Sequence, residues 1–320
     1  MPVINPAPVK LSGILGTVRR ASAMKRGHMK VCIYGRNRIG KSTLAAQFPK
    51  PLLYVACEPT ENGGTDSIIG IEGIDISVVS LKKQVDPITG LLEDYSGRAK
   101  AMAIADNLQS MCDQTGSCYY NSIAIDSTAL QEIILAEIMG WNEVDRILAW
   151  GAIGRERYME RAEKTREVLR KFAALPTDTI FVAQEKDHNP PKDDTSSKLT
   201  KPAQEKSFMA ANLGGSTVEW LHDACGFICQ LYMEAETKTE TSEVNMAGEK
   251  RMEEITMHTG RFVRRLRTEY HPNYAAGVRT SRADVVPEYI EAEMAQQMYE
   301  DLARISAGVK ALYGKYRKPK

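Results

Sequence analysis

The sequence lacks any long apolar run. No stretch approaches the roughly 20 consecutive apolar residues that a membrane-spanning helix needs. The N-terminus also lacks the apolar core of a signal peptide. We therefore expect a protein that is neither membrane-embedded nor exported, located in the cytoplasm.

The sequence also lacks an excess of charge of either sign. The 42 basic and 41 acidic residues give a net charge of +1 over 320 residues, so overall charge excludes no class of partner. Its distribution is uneven, because residues 1–30 hold six basic residues and no acid, and the tail after Arg304 holds five basic residues and no acid. Such ends can contact phosphate backbones or simply stay solvated, and both interpretations remain open.

The six cysteines contain no C-x-x-C pair and lie mostly in apolar, strand-like runs. This pattern is typical of reduced core residues in a cytosolic protein. A zinc site at Cys225 and Cys229 is conceivable, but strand alternation would place both thiols on one buried face.

The most informative stretch runs from Met29 to Phe48. Strand-forming residues end at Gly35, and a helical pattern begins at Thr43. Between them the spacing is G-x-x-x-x-G-K-S, in the strand-to-helix context that this phosphate-binding motif requires. The predicted nucleotide-binding residues of the loop are Gly35, Arg36, Asn37, Arg38, Ile39, Gly40, Lys41, Ser42 and Thr43.

Each residue type in this motif has a chemical role. Glycines let successive backbone N–H groups curl around phosphate oxygens, and the helix N-terminus adds partial positive charge. Lys41 bridges the outer phosphates, and the Ser42 hydroxyl ligates Mg²⁺. The motif therefore predicts a nucleoside triphosphate ligand; the alternative is an ordinary glycine-rich turn.

Acidic residues follow two predicted buried strands. The run 52–56 ends in Cys57-Glu58, and the run 122–125 ends in Asp126. Open α/β sheets bind ligands at the carboxyl ends of their strands. Asp126 is thus predicted to hold Mg²⁺ together with Ser42, in a Walker B arrangement. Glu58 is predicted to orient or deprotonate the attacking water, although it could instead cap a loop or form a salt bridge, and Glu61 is a rival.

A further buried strand, 179–183, ends at Gln184. A side-chain amide there can sense the γ-phosphate and pass its state to the following segment. That segment, 185–213, is almost free of apolar residues before Phe208 and is predicted to be a long loop, either functional or disordered. Its five lysines suit a nucleic-acid backbone, but its five acids weaken that interpretation.

Residues 224–233 and 255–266 are predicted to form a long antiparallel ribbon with a solvated tip at 234–254. The return strand carries Arg264, Arg265 and Arg267. Arg265 and Arg267 would share a face, which suits contact with a neighbouring subunit's phosphates, or they could simply be solvated. Residues 284–313 are predicted to form a helical tail.

Four stretches together resemble a known family. They are GRNRIGKST at 35–43, LLYVACE at 52–58, IAIDSTAL at 123–130, and FVAQ at 181–184 with GGSTVEWLHDACGFICQL at 214–231. The sequence resembles the RecA-like ATPases and, within them, the phage-encoded P-loop proteins of the Sak single-strand-annealing group. The P-loop interior, 36–39, is bulkier and more basic than is usual in that family.

The resemblance implies a fold and a function. The fold would be an α/β, RecA-like P-loop NTPase core with a mostly parallel sheet flanked by helices, an antiparallel β-ribbon and a C-terminal helix. Its expected division is a basic, flexible arm at 1–28, an ATPase domain at 29–275 and a basic helical tail at 276–320. The protein would hydrolyse ATP with Mg²⁺ in phage recombination or replication, in the host cytoplasm, as a ring or filament on single-stranded DNA.

The resemblance also implies roles for individual residues. Lys41 would act in catalysis, Glu58 would be the catalytic base, Gln184 the switch, and 185–213 a mobile loop that contacts DNA. Arg264, Arg265 and Arg267 would act across a subunit interface. Two other functions remain open: an ATP-binding DNA-annealing module with little turnover, and a metabolic P-loop kinase.

Overall fold

The computed structural model describes residues 27–57, 65–83, 85, 90–141, 155–188, 208–246, 249–280 and 282–316, without the side chains of 155 and 238–256. Glu58, its rival Glu61 and all but the last two residues of the expected N-terminal arm lie outside the described residues. So do residues 189–207 of the expected DNA-contacting loop.

The described residues form six α-helices and eleven β-strands, mixed along the chain. The helices are α1 (Lys41–Ala45), α2 (Gly97–Thr115), α3 (Ser127–Met139), α4 (Arg155–Ala174), α5 (Gly215–Ala224) and α6 (Ala295–Ser306). The strands are β1 (Lys30–Gly35), β2 (Leu52–Ala56), β3 (Ile74–Val78), β4 (Ser122–Asp126), β5 (Asp178–His188), β6 (Phe208–Ala211), β7 (Phe227–Met246), β8 (Glu249–Arg267), β9 (Gly277–Val278), β10 (Tyr289–Glu291) and β11 (Gly314–Lys315). A 3₁₀ turn spans Ala283–Val285.

The strands form one sheet in the order β3-β2-β4-β5-β1-β7-β8-β10-β11, with β6 paired to β5 and β9 paired to β7. The pairings from β3 through β7 are parallel, and β8, β10 and β11 add antiparallel pairings at one side. The predicted fold class is therefore confirmed: a mostly parallel, helix-flanked sheet with an antiparallel ribbon and a C-terminal helix.

Strand β1 is buried on both faces, as expected for a central parallel strand. Cys32 and Tyr34 pack into one apolar cluster, which includes residues of α2, α3, α4 and α5. Val31 and Ile33 pack into a second cluster on the opposite face, with residues of α1 and α6. Because side chains alternate along a strand, a single apolar run supplies both cores and fixes the position of the loop that follows Gly35.

Two segments contain more strand than predicted. The ribbon strands β7 and β8 continue to Met246 and resume at Glu249, so pairing extends through most of the expected tip. Within the expected loop 185–213, Glu185–His188 pairs antiparallel with Phe208–Ala211. Backbone pairing in a ribbon does not require an apolar face, so polar composition alone did not reveal these strands.

The predicted helical tail is only partly helical. Within residues 284–313 the α-helix is Ala295–Ser306, while Tyr289–Glu291 is a strand on the edge of β8. That strand and its partner β11 are three and two residues long. Such segments are too short to show the alternation by which strands are predicted.

The prediction that all six cysteines are reduced is wrong for one pair. Cys112 and Cys118 form a disulfide. Helix α2 ends at Thr115, and Gly116 in the left-handed conformation reverses the chain, which brings the two Cα atoms to 4.5 Å. The other four cysteines are buried and form no disulfide within the described residues. Across the described ranges, no helix combines the length and apolarity needed to cross a bilayer.

Candidate nucleotide-binding site

The loop between β1 and α1 curls tightly, and its geometry requires glycine at both glycine positions of the motif. Gly40 has a φ of 98°, in the left-handed region that favours glycine, and Arg38 also has a positive φ of 61°. A Cβ on Gly35 would lie 2.2 Å from the carbonyl oxygen of Leu231 on β7. Any side chain at position 35 would therefore collide with the neighbouring strand.

Lys41 bends back over this loop. Its Nζ donates to the carbonyl oxygens of Gly35 (3.0 Å) and Arg36 (2.7 Å). Burial lowers the pKa of Lys41, and the charges of Asp126 and Glu185 oppose that shift. The ammonium thus lies in a partly dry site near two carboxylates, one of which is the predicted Walker B aspartate.

Ser42 and Asp126 supply oxygen atoms to the same edge of the sheet. The Ser42 hydroxyl is 3.0 Å from the phenol oxygen of Tyr54 on β2. Asp126 caps helix α3, with its Oδ1 accepting from the Ala129 N–H at 3.0 Å. Carboxylate and hydroxyl oxygens are ligands that suit Mg²⁺.

The residues fit a magnesium-bound nucleotide. A curled loop of amides, a lysine ammonium and a pair of oxygen-bearing side chains are the elements of a P-loop site. One element is smaller than predicted, because α1 spans only Lys41–Ala45 instead of continuing to Phe48.

Gln184 lies beside the first glycine of the loop, since it pairs with Gly35 in the parallel register of β1 and β5. Its backbone is firmly held: its N–H donates to Thr128 Oγ1 at 3.0 Å, and its carbonyl oxygen accepts from the Asn212 N–H at 2.7 Å. It therefore connects the loop, the helix that Asp126 caps, and the residue that follows β6. Its role as a switch stays a prediction.

Glu185 is a site residue that sequence reasoning missed. Its side chain is only 7% exposed, and Oε1 lies 3.6 Å from Arg36 Nε in the loop. Its Oε2 accepts from Gln230 Nε2 at 2.9 Å. The rule that singled out Glu58 and Asp126, an acid at the end of a buried strand, applies here too. It was not applied because Gln184, the residue directly after the run 179–183, was taken as the polar tip of that strand.

The three ribbon arginines have different surroundings. Arg265 pairs with Glu234 and with Glu291, and its guanidinium lies 4.4 Å from the Tyr289 ring centroid. Arg267 donates from Nε to Gln230 Oε1 at 3.2 Å and stacks on the rings of Tyr232 and Tyr274. Arg264 instead lies against Gly40. Action across a subunit interface stays a prediction for all three.

The family is identified by comparison with known proteins. A family model described as "AAA domain" matches residues 28–280. The chain belongs to the AAA domain family. The matched range includes the loop 35–43, Asp126, Gln184 and all three ribbon arginines. The chain therefore carries a P-loop NTPase domain of the AAA type, a class that binds nucleotide, generally with Mg²⁺.

Other comparisons add little to the AAA assignment. No curated protein matches the sequence. Among solved structures, the crystal structure of the flagellar accessory protein FlaH from Methanocaldococcus jannaschii is similar, with a TM-score of 0.32 and 11% identity over 83% of this chain and 85% of that one. Similarity at that level supports no conclusion about function.

Proposed function

We propose that this AAA domain protein is an ATPase that hydrolyses the terminal phosphoanhydride bond of ATP with Mg²⁺. The observation that carries the proposal is the position of Lys41. Its ammonium donates hydrogen bonds to the carbonyl oxygens of Gly35 and Arg36 in the curled loop. It lies close enough to Asp126 and Glu185 for their negative charges to raise its pKa. A charge placed in this way stabilises negative charge that develops on a transferring phosphoryl group.

The chain's own residues divide the work. Amides of residues 35–43 and the Lys41 ammonium would bind the phosphates. Ser42 and Asp126 would hold Mg²⁺, and the metal would neutralise phosphate charge. Glu58 is our candidate for the catalytic base. Glu185 holds Arg36 and adds negative charge beside Lys41, which positions the loop.

We further propose that turnover is coupled to single-stranded DNA, in a homo-oligomeric ring or filament acting in phage recombination or replication. The sequence resemblance supports this, as does the position of the β5–β6 hairpin. Glu185, on the first strand of this hairpin, contacts the nucleotide-binding loop through Arg36. The segment that joins the two strands contains four lysines. Those lysines are Lys192, Lys198, Lys201 and Lys206.

The test measures phosphate release with and without single-stranded DNA at two salt concentrations. We expect stimulation by DNA that weakens as salt rises, because phosphate contacts release counterions. Lys41→Ala should abolish hydrolysis, and Lys83→Ala, which removes an exposed lysine, is the matched control. ATP binding without turnover would favour the annealing module, and turnover with nucleosides but not DNA would favour the kinase.

A further inference from the structure

The position of Arg264 is fixed by strand pairing within one chain. Strand β7 lies between β1 and β8, and its Leu231 carbonyl approaches Gly35 at the start of the loop. On β8, Arg264 pairs with Met233 of β7. Its side chain extends from there to the loop. A Cβ on Gly40 would lie 3.4 Å from Arg264 Cζ, 3.5 Å from Nη2 and 3.7 Å from Nε.

The guanidinium of Arg264 is left incompletely paired. Its Nε is buried and has no hydrogen-bond partner among the residues that the structure describes. Arginine keeps its charge at any pH that proteins tolerate, and a buried donor without an acceptor is unfavourable. The two neighbouring arginines differ, since Arg265 is paired with carboxylates and Arg267 with Gln230.

The acceptor that would suit Arg264 is defined by its surroundings. The side chain faces the turn at Gly40, directly before Lys41, where the motif places phosphate oxygens. Guanidinium groups bind phosphate through charge-assisted, often bidentate hydrogen bonds. Gly40 therefore has a second function besides its left-handed backbone, because the missing side chain leaves room for the guanidinium.

We propose that Arg264 contacts the phosphates of a nucleotide bound in the loop of its own chain. The proposal rests on the nucleotide site proposed above and specifies it further. It differs from the expectation drawn from the family resemblance, in which the ribbon arginines reach a neighbouring subunit. An arginine supplied within the chain would contribute to nucleotide affinity whether or not the chain assembles.

The first experiment is a titration with a fluorescent ATP analogue and Mg²⁺. We expect Arg264→Gln to weaken affinity by roughly tenfold to a hundredfold, the usual effect of losing a hydrogen bond to a charged group. Arg264→Lys keeps the charge but cannot donate two parallel hydrogen bonds to phosphate, so its affinity should lie between those of the wild type and Arg264→Gln. Arg261→Gln, an exposed arginine of the same strand, is the control and should bind like the wild type.

The second experiment separates the two directions of contact. Arg264→Gln chains are mixed with Lys41→Ala chains at an ATP concentration too low for the Arg264→Gln protein to hydrolyse it alone, and hydrolysis is measured at several total protein concentrations. If Arg264 acts within its own chain, each nucleotide site in the mixture lacks either Arg264 or Lys41, and no activity returns. If activity returns on mixing, the arginine reaches across an interface and the proposal is wrong.

The outcomes distinguish this proposal from the one on which it rests. Wild-type protein that binds no nucleotide would end the proposed ATPase function itself. Wild-type and Arg264→Gln proteins that bind equally would leave that function intact and overturn the role of Arg264. Circular dichroism and the melting temperature of each variant establish that weakened binding does not reflect unfolding.

Discussion

Two lysines near the two ends of β1 show how similar burial can serve different purposes. Lys30, at the start of the strand, is partly buried, and burial lowers its pKa to about 8. Its ammonium donates to the carbonyl oxygens of Leu175 (2.8 Å) and Thr177 (2.8 Å) and to Thr179 Oγ1 (2.9 Å). Since an ammonium has three donors, these acceptors satisfy it completely.

Lys41, just past the other end of the strand, is also partly buried with a lowered pKa. Its ammonium donates two hydrogen bonds to carbonyl oxygens of its own loop, and the described residues provide no third acceptor. Burial alone therefore does not separate the two lysines. The difference is the unused donor, which leaves Lys41 able to bind a ligand, while Lys30 fastens β1 to the end of α4 and the start of β5.

The largest effect we expect comes from Lys41→Ala. Hydrolysis should fall by about 10²–10³-fold or more, because a preorganised charge at the transferring phosphoryl group is lost. The free energy of unfolding should fall by only about 1 kcal/mol, because the partly buried Gly35 carbonyl loses its donor while water can replace the donor to the exposed Arg36 carbonyl. Phosphate release and denaturant titration measure the two quantities. A large loss of stability would show that Lys41 is structural like Lys30.

The reverse pattern is expected for Lys30→Met, which keeps the apolar stem. Three buried acceptors lose their donor, so the free energy of unfolding should fall by about 3 kcal/mol, at about 1 kcal/mol each. Hydrolysis per folded molecule, measured well below the melting temperature, should stay close to that of the wild type. Lost activity with an unchanged denaturation midpoint would contradict the comparison.

Glu185→Gln tests the role of the carboxylate that lies near Lys41. The amide can still accept from Gln230, but the negative charge beside Arg36 and Lys41 is gone. We expect turnover to fall by about tenfold to a hundredfold, with stability little changed. Glu219→Gln, at an exposed acid on α5, is the control. Equal turnover in both variants would remove Glu185 from the site.

The smallest effect that we expect is a pH dependence of nucleotide affinity. Phosphates bind the charged form of Lys41, whose pKa in the free protein is lowered by burial. Linkage then requires nucleotide affinity to fall as pH rises through that lowered pKa, before free lysine would lose its proton. Lys41→Arg should show no such fall, because a guanidinium stays charged. Titrations from about pH 7 to about pH 10 measure it, and parallel curves for the two proteins would contradict it.

Sequence reasoning was most reliable where chemistry is local. The loop 35–43 and the strand ending in Asp126 combine an apolar run, a turn and a polar tip within a few neighbouring residues, and such patterns are readable without the fold. Glu185 was missed because only its contacts mark it as a site residue, and these go to Arg36 and to Gln230, which are distant along the chain.

The arginines show a second limit. Strand alternation predicts that Arg265 and Arg267 share a face, with Arg264 on the other, but not which face meets the loop. That depends on the order of β1, β7 and β8 in the sheet. The pairing of Arg265 with Glu291 likewise needs β10, a strand too short to predict. Contacts between distant segments are what sequence patterns leave undetermined.

The hydrogen bond between Ser42 and Tyr54 gives the protein an internal optical probe. Tyr54 is almost fully buried, and its phenol lies 3.0 Å from the hydroxyl that would ligate magnesium. A metal ion that coordinates the Ser42 hydroxyl must change the hydrogen bond between that hydroxyl and the Tyr54 phenol. Arrival of magnesium should therefore shift the near-ultraviolet absorption of a single tyrosine, so that metal loading can be followed without any label.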